Sequence, residues 1–210
     1  MSVWKNLQAL FVVTFVLGCT SREMPPHPLT RPLVGTLACR IVASGAYDAA
    51  LVAAARAESS RVVSQAGKTV GEWVPVADPS LAASDIDALP DAVLRQTESG
   101  AEILVVFSEG DVTDADVAAV HSGGFDLNGQ PIITLTLTDE GSKKFFDFSV
   151  ENASRHVAII VGDAVQSVPQ IQTPISDQFV IVSPTQAASD KLVLALTSPP
   201  TTTESSDALE

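Results

Sequence analysis

Three histidines are the only imidazole bases in this 210-residue chain, and general-base chemistry near neutral pH most often starts from such groups. His27 lies among Pro25, Pro26 and Pro28. His121 precedes Ser122-Gly-Gly124, which sets a hydroxyl next to a base. Adjacent residues on a strand point to opposite faces, so the two side chains are not expected to meet, and a Gly-Gly turn after a strand accounts for the run. The third, His156, stands just before the apolar stretch that begins at Val157. No Gly-x-Ser-x-Gly elbow, Gly-x-x-x-x-Gly-Lys loop or His-Glu-x-x-His pair occurs, so the common nucleophile, nucleotide and zinc signatures all fail. Asp111, Asp114 and Asp116 form a modest acidic cluster, but a calcium loop needs oxygen ligands at tight alternate spacing that closes on a Glu about twelve residues on. Position 122 is Ser. The expectation is no enzymatic activity, no metal and no other cofactor. Asp126-Leu-Asn-Gly129 reads instead as a tight hairpin turn, because Asn-Gly tolerates positive φ.

Two cysteines complete the reactive inventory. Val16-Leu-Gly-Cys19 follows Lys5 and the apolar run from Ala9, the order of a positive n-region, an h-region and a cleavage box. A lipoprotein signal fits best: residues 1–18 removed and Cys19 acylated, with palmitate-like chains holding the protein on a bilayer. A plain secretory signal with an incidental cysteine is the alternative. Cys39 is then left without a partner. Its apolar strand makes it a small buried hydrophobe, with a reactive thiol as the sharper alternative.

The chain carries 25 acidic against 12 basic residues, a formal net charge of −13, which repels nucleic acid and anionic lipid surfaces. Neither is an expected partner, and the membrane contact is the lipid alone. Spanning a bilayer takes about 20 consecutive apolar residues; no run of that length is present. Residues 19–34 read as a proline-rich spacer, which favours extended backbone. Residues 199–210 read as a disordered polar tail. Between them, 46% hydrophobic but only 5% aromatic residues predict a core of Val, Ile, Leu and Ala, with Phe145, Phe146 and Phe148 a local exception.

Periodicity predicts strands at 37–42, 72–76 and 102–107 and an alanine-rich helix over 48–58. Residues 132–137 alternate apolar with Thr, as a strand covered on one side does. Thr138 then caps a helix whose first turn carries Asp139 and Glu140. Phe145, Phe148, Phe146 and Val150 form a stripe expected to face the sheet. A hairpin over 157–168 turns at Gly162-Asp163, a last strand spans 179–182, and Pro184-Thr185 opens a helix with Ala188, Leu192 and Leu196 inward. The predicted class is α+β: two helices on one face of a mostly antiparallel sheet, over residues 129–198. A smaller β/α lobe over 35–128 either stands apart or extends that sheet.

The order of these segments resembles the head of the first periplasmic region of SecD. Leu135 to Gly141 matches a strand that turns through Thr/Asp-x-x-Gly into a helix. Ala158 to Asp163, Val165 to Ile171, and Pro174-Ile175 to Ile181 match the strands that follow it. Upstream, Leu37 to Ala43, the Ala49 to Ala57 run, Gly67 to Val76, Glu102 to Phe107 and Asp111 to Val117 resemble the segments before the head in a longer variety of SecD. The resemblance thus covers roughly residues 35–197. It implies an exported, periplasm- or envelope-facing accessory of protein export whose partners are exported polypeptides or Sec translocon components. The family's membrane helices, which couple proton flow to secretion, have no counterpart here. The alternative is a structural or regulatory envelope lipoprotein that keeps the fold without a role in export. Extended chains add to sheet edges through main-chain hydrogen bonds. The candidate edge is 165–175 (Val165, Val168, Gln170, Ile171, Ile175), where prolines keep neighbouring strands away and Val168 and Ile171 are expected to be available.

Overall fold

A computed structural model describes residues 30–77, 89 and 91–199. The signal, Cys19, His27, most of the spacer and nearly all of the tail lie outside them.

Eleven strands and three α-helices are present among the described residues. They run in the order β1 (Leu37–Ile41), α1 (Ala49–Ala57), β2 (Val62–Gln65), β3 (Lys68–Pro75), β4 (Leu94–Thr97), β5 (Gly100–Val106), β6 (Val112–Thr113), β7 (Val117–Phe125), β8 (Pro131–Leu137), α2 (Asp139–Glu151), β9 (Val157–Val161), β10 (Ala164–Ser167), β11 (Gln178–Val182) and α3 (Gln186–Thr197). Strand orders are β10-β9-β1-β6, β11-β8-β7 and β2-β3-β5-β4, and every ladder between named strands is antiparallel. The chain is α+β, as its sequence predicts.

β9 explains the layering. All five residues of Val-Ala-Ile-Ile-Val are buried, the unbroken apolar run expected of a strand covered on both faces. Val157, Ile159 and Val161 enter the largest core with Phe145 and Phe148 of α2 and Leu192 and Leu196 of α3. Ala158 and Ile160 face the other way, onto Val74, Ile103 and Val105 of β3 and β5. The far side of that second sheet is closed by Leu51, Val52 and Ala55 of α1 against Trp73 and Leu104. β9 also pairs along all of β1, with Leu37 opposite Val161 and Ile41 opposite Val157. Hydrogen bonding therefore crosses the boundary expected at residue 128.

The helix starts form where the capping residues predict. Thr138 Oγ1 accepts from the Gly141 N–H at 2.9 Å, and Thr185 Oγ1 from the Ala188 N–H at 3.1 Å, each satisfying a first-turn donor. The face of α2 differs from expectation. Phe145 and Phe148 are buried, with Phe145 edge-on to Phe179 at 5.2 Å, but Phe146 and Val150 are 45% and 49% exposed. At about 100° per residue, Ser149 rather than Phe146 completes the inward side. In α3 Ser189 takes the buried position expected of Ala188.

The Gly-Gly turn expected after His121 is absent. Gly123 and Gly124 lie inside β7, where the register slips between Ser122 and Gly124 and Gly123 has φ of +105°. This bulge uses a positive-φ backbone, which Gly supplies without strain. The turn falls instead at Asp126–Gly129: the Asp126 carboxylate accepts from the N–H groups of Asn128 and Gln130, and Gly129 has φ of +77°.

Candidate functional site

The segment 165–175 is built by alternation and by the end of α2. Its apolar residues are the inward ones: Val165 and Ile171 are 1% exposed and Ile175 is 5% exposed. Ile171 and Ile175 sit in the α2/α3 core, and Val165 in the core between the sheets, with Val168 packed partly against it. This corrects the expectation that Ile171 is available for contact. Of the five candidate residues, Gln170 is the exposed one.

Main-chain pairing gives Gln170 a second distinction. It stands opposite His156 in an antiparallel bridge, flanked by hydrogen bonds from Val157 N–H to the Pro169 carbonyl and from Ile171 N–H to the Arg155 carbonyl, each 2.9 Å. In such a ladder the residue between two bonds aims its own N–H and C=O away from the partner strand. Gln170 therefore presents a donor and an acceptor on the outer edge. Its side chain is tied back, with Nε2 donating to the Ser154 carbonyl at 3.0 Å. The neighbouring edge at β10 is already occupied, since Ala77 N–H donates to the Val165 carbonyl.

Ser149 fixes the far end of the segment. Fully buried, its Oγ accepts from Ile175 N–H at 2.8 Å and donates to the Phe146 carbonyl at 2.9 Å. Ser149→Ala strands a buried N–H, so a loss of about 2 kcal/mol is expected, checked by urea melts. Amide exchange at residues 172–175 should quicken with it.

A charged junction links two of the sheets. Arg40 of β1 reaches Glu72 of β3 at 3.2 Å and Asp111 at 3.3 Å, Arg61 holds the other Glu72 oxygen at 3.0 Å, and the Arg40 guanidinium lies 3.9 Å from the Phe107 ring centroid. The pair with Asp111 is poorly aligned: Arg40 Nε and Asp111 Oδ1 are buried without hydrogen-bond partners among the described residues. Burial pushes the Asp111 carboxyl up to about 6, against a hydrogen bond from the Ser108 backbone and the charges of Arg40 and Lys144. Asp116 behaves oppositely. Burial works to raise it, but the Thr113 N–H at 2.8 Å and Lys144 at 3.0 Å prevail and hold it below the usual carboxylate range.

Other groups singled out from the sequence fall as follows. His121 bonds Thr30 through Nδ1 at 2.9 Å and Thr136 through Nε2 at 3.0 Å, so threonine hydroxyls occupy both ring nitrogens. Burial lowers the His156 pKa, opposed by Asp91. Cys39 is fully buried, and desolvation, helped by the Asp111 and Asp116 charges, pushes its thiol up to about 12. That is the buried hydrophobe. A thiol reagent at pH 8 is expected to leave Cys39 unmodified in the folded protein and to label it on unfolding, because the thiolate is the nucleophile.

Residues 91–199 match the family model for the SecDF P1 head subdomain, more than half of the chain. The chain belongs to that family. The matched region takes in β4 to α3, and β1, α1, β2 and β3 precede it. Among individual proteins, similarity is found to the protein translocase subunit SecD of Elusimicrobium minutum, 38% identical over 86 residues, covering 40% of this chain and 17% of the relative. SecD of Aquifex aeolicus is 30% identical over 89 residues, covering 42% and 18%. The chain thus spans less than a fifth of the length of these curated relatives. Of solved structures, a chain described as a membrane component SecDF that enhances protein export aligns with a TM-score of 0.45 and 20% identity, over 81% of this chain and 66% of that one. No helix among the described residues is long and apolar enough to cross a membrane.

Proposed function

We propose that this chain is a non-enzymatic, lipid-anchored accessory of protein export, facing the periplasm or cell envelope, that contacts exported polypeptide or the secretion machinery through the edge at 165–175. Membership of the SecDF P1 head family carries the link to export. The outward main-chain groups of Gln170 support the mode of contact, because an extended chain pairs with such an edge through its backbone and so independently of its sequence. Val165, Ile171 and Ile175 act from the core, holding that edge rigid, while Val168 and Gln170 border the partner.

Two measurements test this. Deleting the gene should slow signal-peptide processing of an exported reporter in pulse-chase, with recovery on complementation; an unchanged rate favours an envelope lipoprotein that keeps the fold without a role in export. Cys19→Ser should release the protein from the membrane fraction, and retention of the variant there would remove the lipid anchor.

A further inference from the structure

The chain enters the folded part along β7. Arg31 N–H donates to the Val120 carbonyl at 3.0 Å and Val120 N–H to the Arg31 carbonyl at 2.9 Å, an antiparallel bridge, and Thr30 Oγ1 meets His121 Nδ1 at 2.9 Å. Stepping back from Arg31 to Thr30 therefore moves along β7 from Val120 to His121, toward Phe125. There β7 ends and the turn Asp126–Gly129 follows. Six residues separate His121 from Leu127, at most about 20 Å. The ten residues between Cys19 and Thr30 span at most about 35 Å, so a bilayer that holds Cys19 is within reach of the turn.

That turn carries what a lipid surface takes up. Phe125 is 62% exposed and Leu127 92%, and neither belongs to a core cluster. Leu127 holds one of the two central positions, since Gly129 N–H donates to the Asp126 carbonyl at 3.1 Å. Residues 122–131 contain a single charged side chain, Asp126, and its carboxylate accepts from the N–H groups of Asn128 and Gln130 at 2.9 and 2.7 Å. In a chain of formal net charge −13, this tip is nearly bare of charge.

We propose that Phe125 and Leu127 enter the headgroup boundary of a zwitterionic bilayer, making the β7–β8 turn a second membrane contact beside the lipid at Cys19. Apolar side chains buried to that shallow depth are how interfacial segments hold a membrane. Two side chains bind weakly alone, but a tether makes the contact intramolecular, at an effective concentration of order millimolar. The chain's negative charge disfavours both an anionic surface and a second copy of itself, whereas the ammonium of a zwitterionic headgroup suits Asp126. The inference rests on the reading that Cys19 carries the anchor, and it adds which end of the protein faces the membrane.

The test holds the full chain on phosphatidylcholine vesicles through Cys19, by its own acyl group or, where the thiol is free, by coupling to a maleimide-bearing lipid. Tryptophan is the probe. Leu127→Trp keeps a large apolar side chain at the tip; its emission, taken as the difference from the native chain to remove buried Trp73, should shift to the blue on vesicles and be quenched by lipid brominated near the headgroup end of its acyl chains. Glu109→Trp, on an exposed loop, should do neither. Adding Phe125→Asp to Leu127→Trp should remove about half or more of the quenching, with the melting curve little changed because Phe125 is exposed. Absence of quenching at position 127, the result given by a tip that the spacer covers, overturns the inference, as does equal quenching at 127 and 109. Emission at 127 that shifts with protein concentration without lipid assigns the tip to a second copy and overturns it too. Retention of Cys19→Ser in the membrane fraction removes only the native anchor, because the coupled chain still reports on the tip.

Discussion

Arg40→Met is expected to destabilise the protein by about 3 kcal/mol at pH 8, because removing one member of a buried ion pair leaves the other without a counter-charge. The effect arises at Asp111 rather than at Glu72. Glu72 keeps Arg61 at 3.0 Å. Asp111 is 7% exposed, has an unsatisfied oxygen even in the native protein, and would lose the guanidinium that now offsets part of its burial. Met replaces much of the aliphatic volume and can lie against Phe107, so the loss measured is mainly electrostatic. Urea unfolding at pH 8 and pH 5 checks this: the deficit should shrink at the lower pH, where Asp111 becomes neutral. An equal deficit at both values would assign the loss to packing.

Asp111→Asn should act in the opposite direction above pH 6. In the folded chain the carboxyl titrates near 6, against 3.8 as its ordinary value, so the folded state binds a proton more tightly than the unfolded state does. The stabilisation from that proton is fully present below pH 3.8 and is lost as pH rises through 6. A shift of that size corresponds to about 3 kcal/mol between those limits. Asn keeps the shape and carries no charge. The difference in unfolding free energy between variant and native protein should therefore rise in the variant's favour from pH 4 to pH 7 and then level off. Measuring the difference cancels groups of opposite sign such as Asp116, whose lowered pKa contributes stability above the ordinary carboxylate range that fades as pH falls. A flat difference across that window would mean that Asp111 is solvated.

Features of the sequence that report local physics are found where they were expected. Thr138 and Thr185 are helix caps because a hydroxyl at that position satisfies first-turn donors, a local relation. Val157 to Val161 is a strand buried on both faces because no polar residue interrupts it. The strand expected to stop at Gly123 continues as β7 through Gly-Gly to Phe125, because β8 pairs with it along that length. β2 and β4 are short, polar edge strands that carry little apolar signal. The pairing of β1 with β9, far apart in the chain, is a tertiary choice that no local window contains.

The candidate edge was legible in part. Pro169 and Pro174 suggested a break in pairing, but the ladder continues past Pro169, whose carbonyl accepts from Val157 N–H, to the bridge between His156 and Gln170. Hydrophobicity pointed to Val168 and Ile171 as available for contact, whereas Ile171 fills the core and Val168 packs partly against the core between the sheets. The exposed position belongs to Gln170. The Arg40, Glu72 and Asp111 junction had no signature, because its members come from three separate segments and each looks like ordinary surface charge in sequence.

Site-specific photocrosslinking in living cells tests the central claim most directly. With a photoreactive residue at position 170 of the full chain, and an exported reporter arrested in transit, the account predicts adducts to the reporter or to a translocon component from position 170 and none from position 109, an exposed site on the loop before β6. Position 170 yielding neither, or position 109 yielding the same adducts, would contradict it.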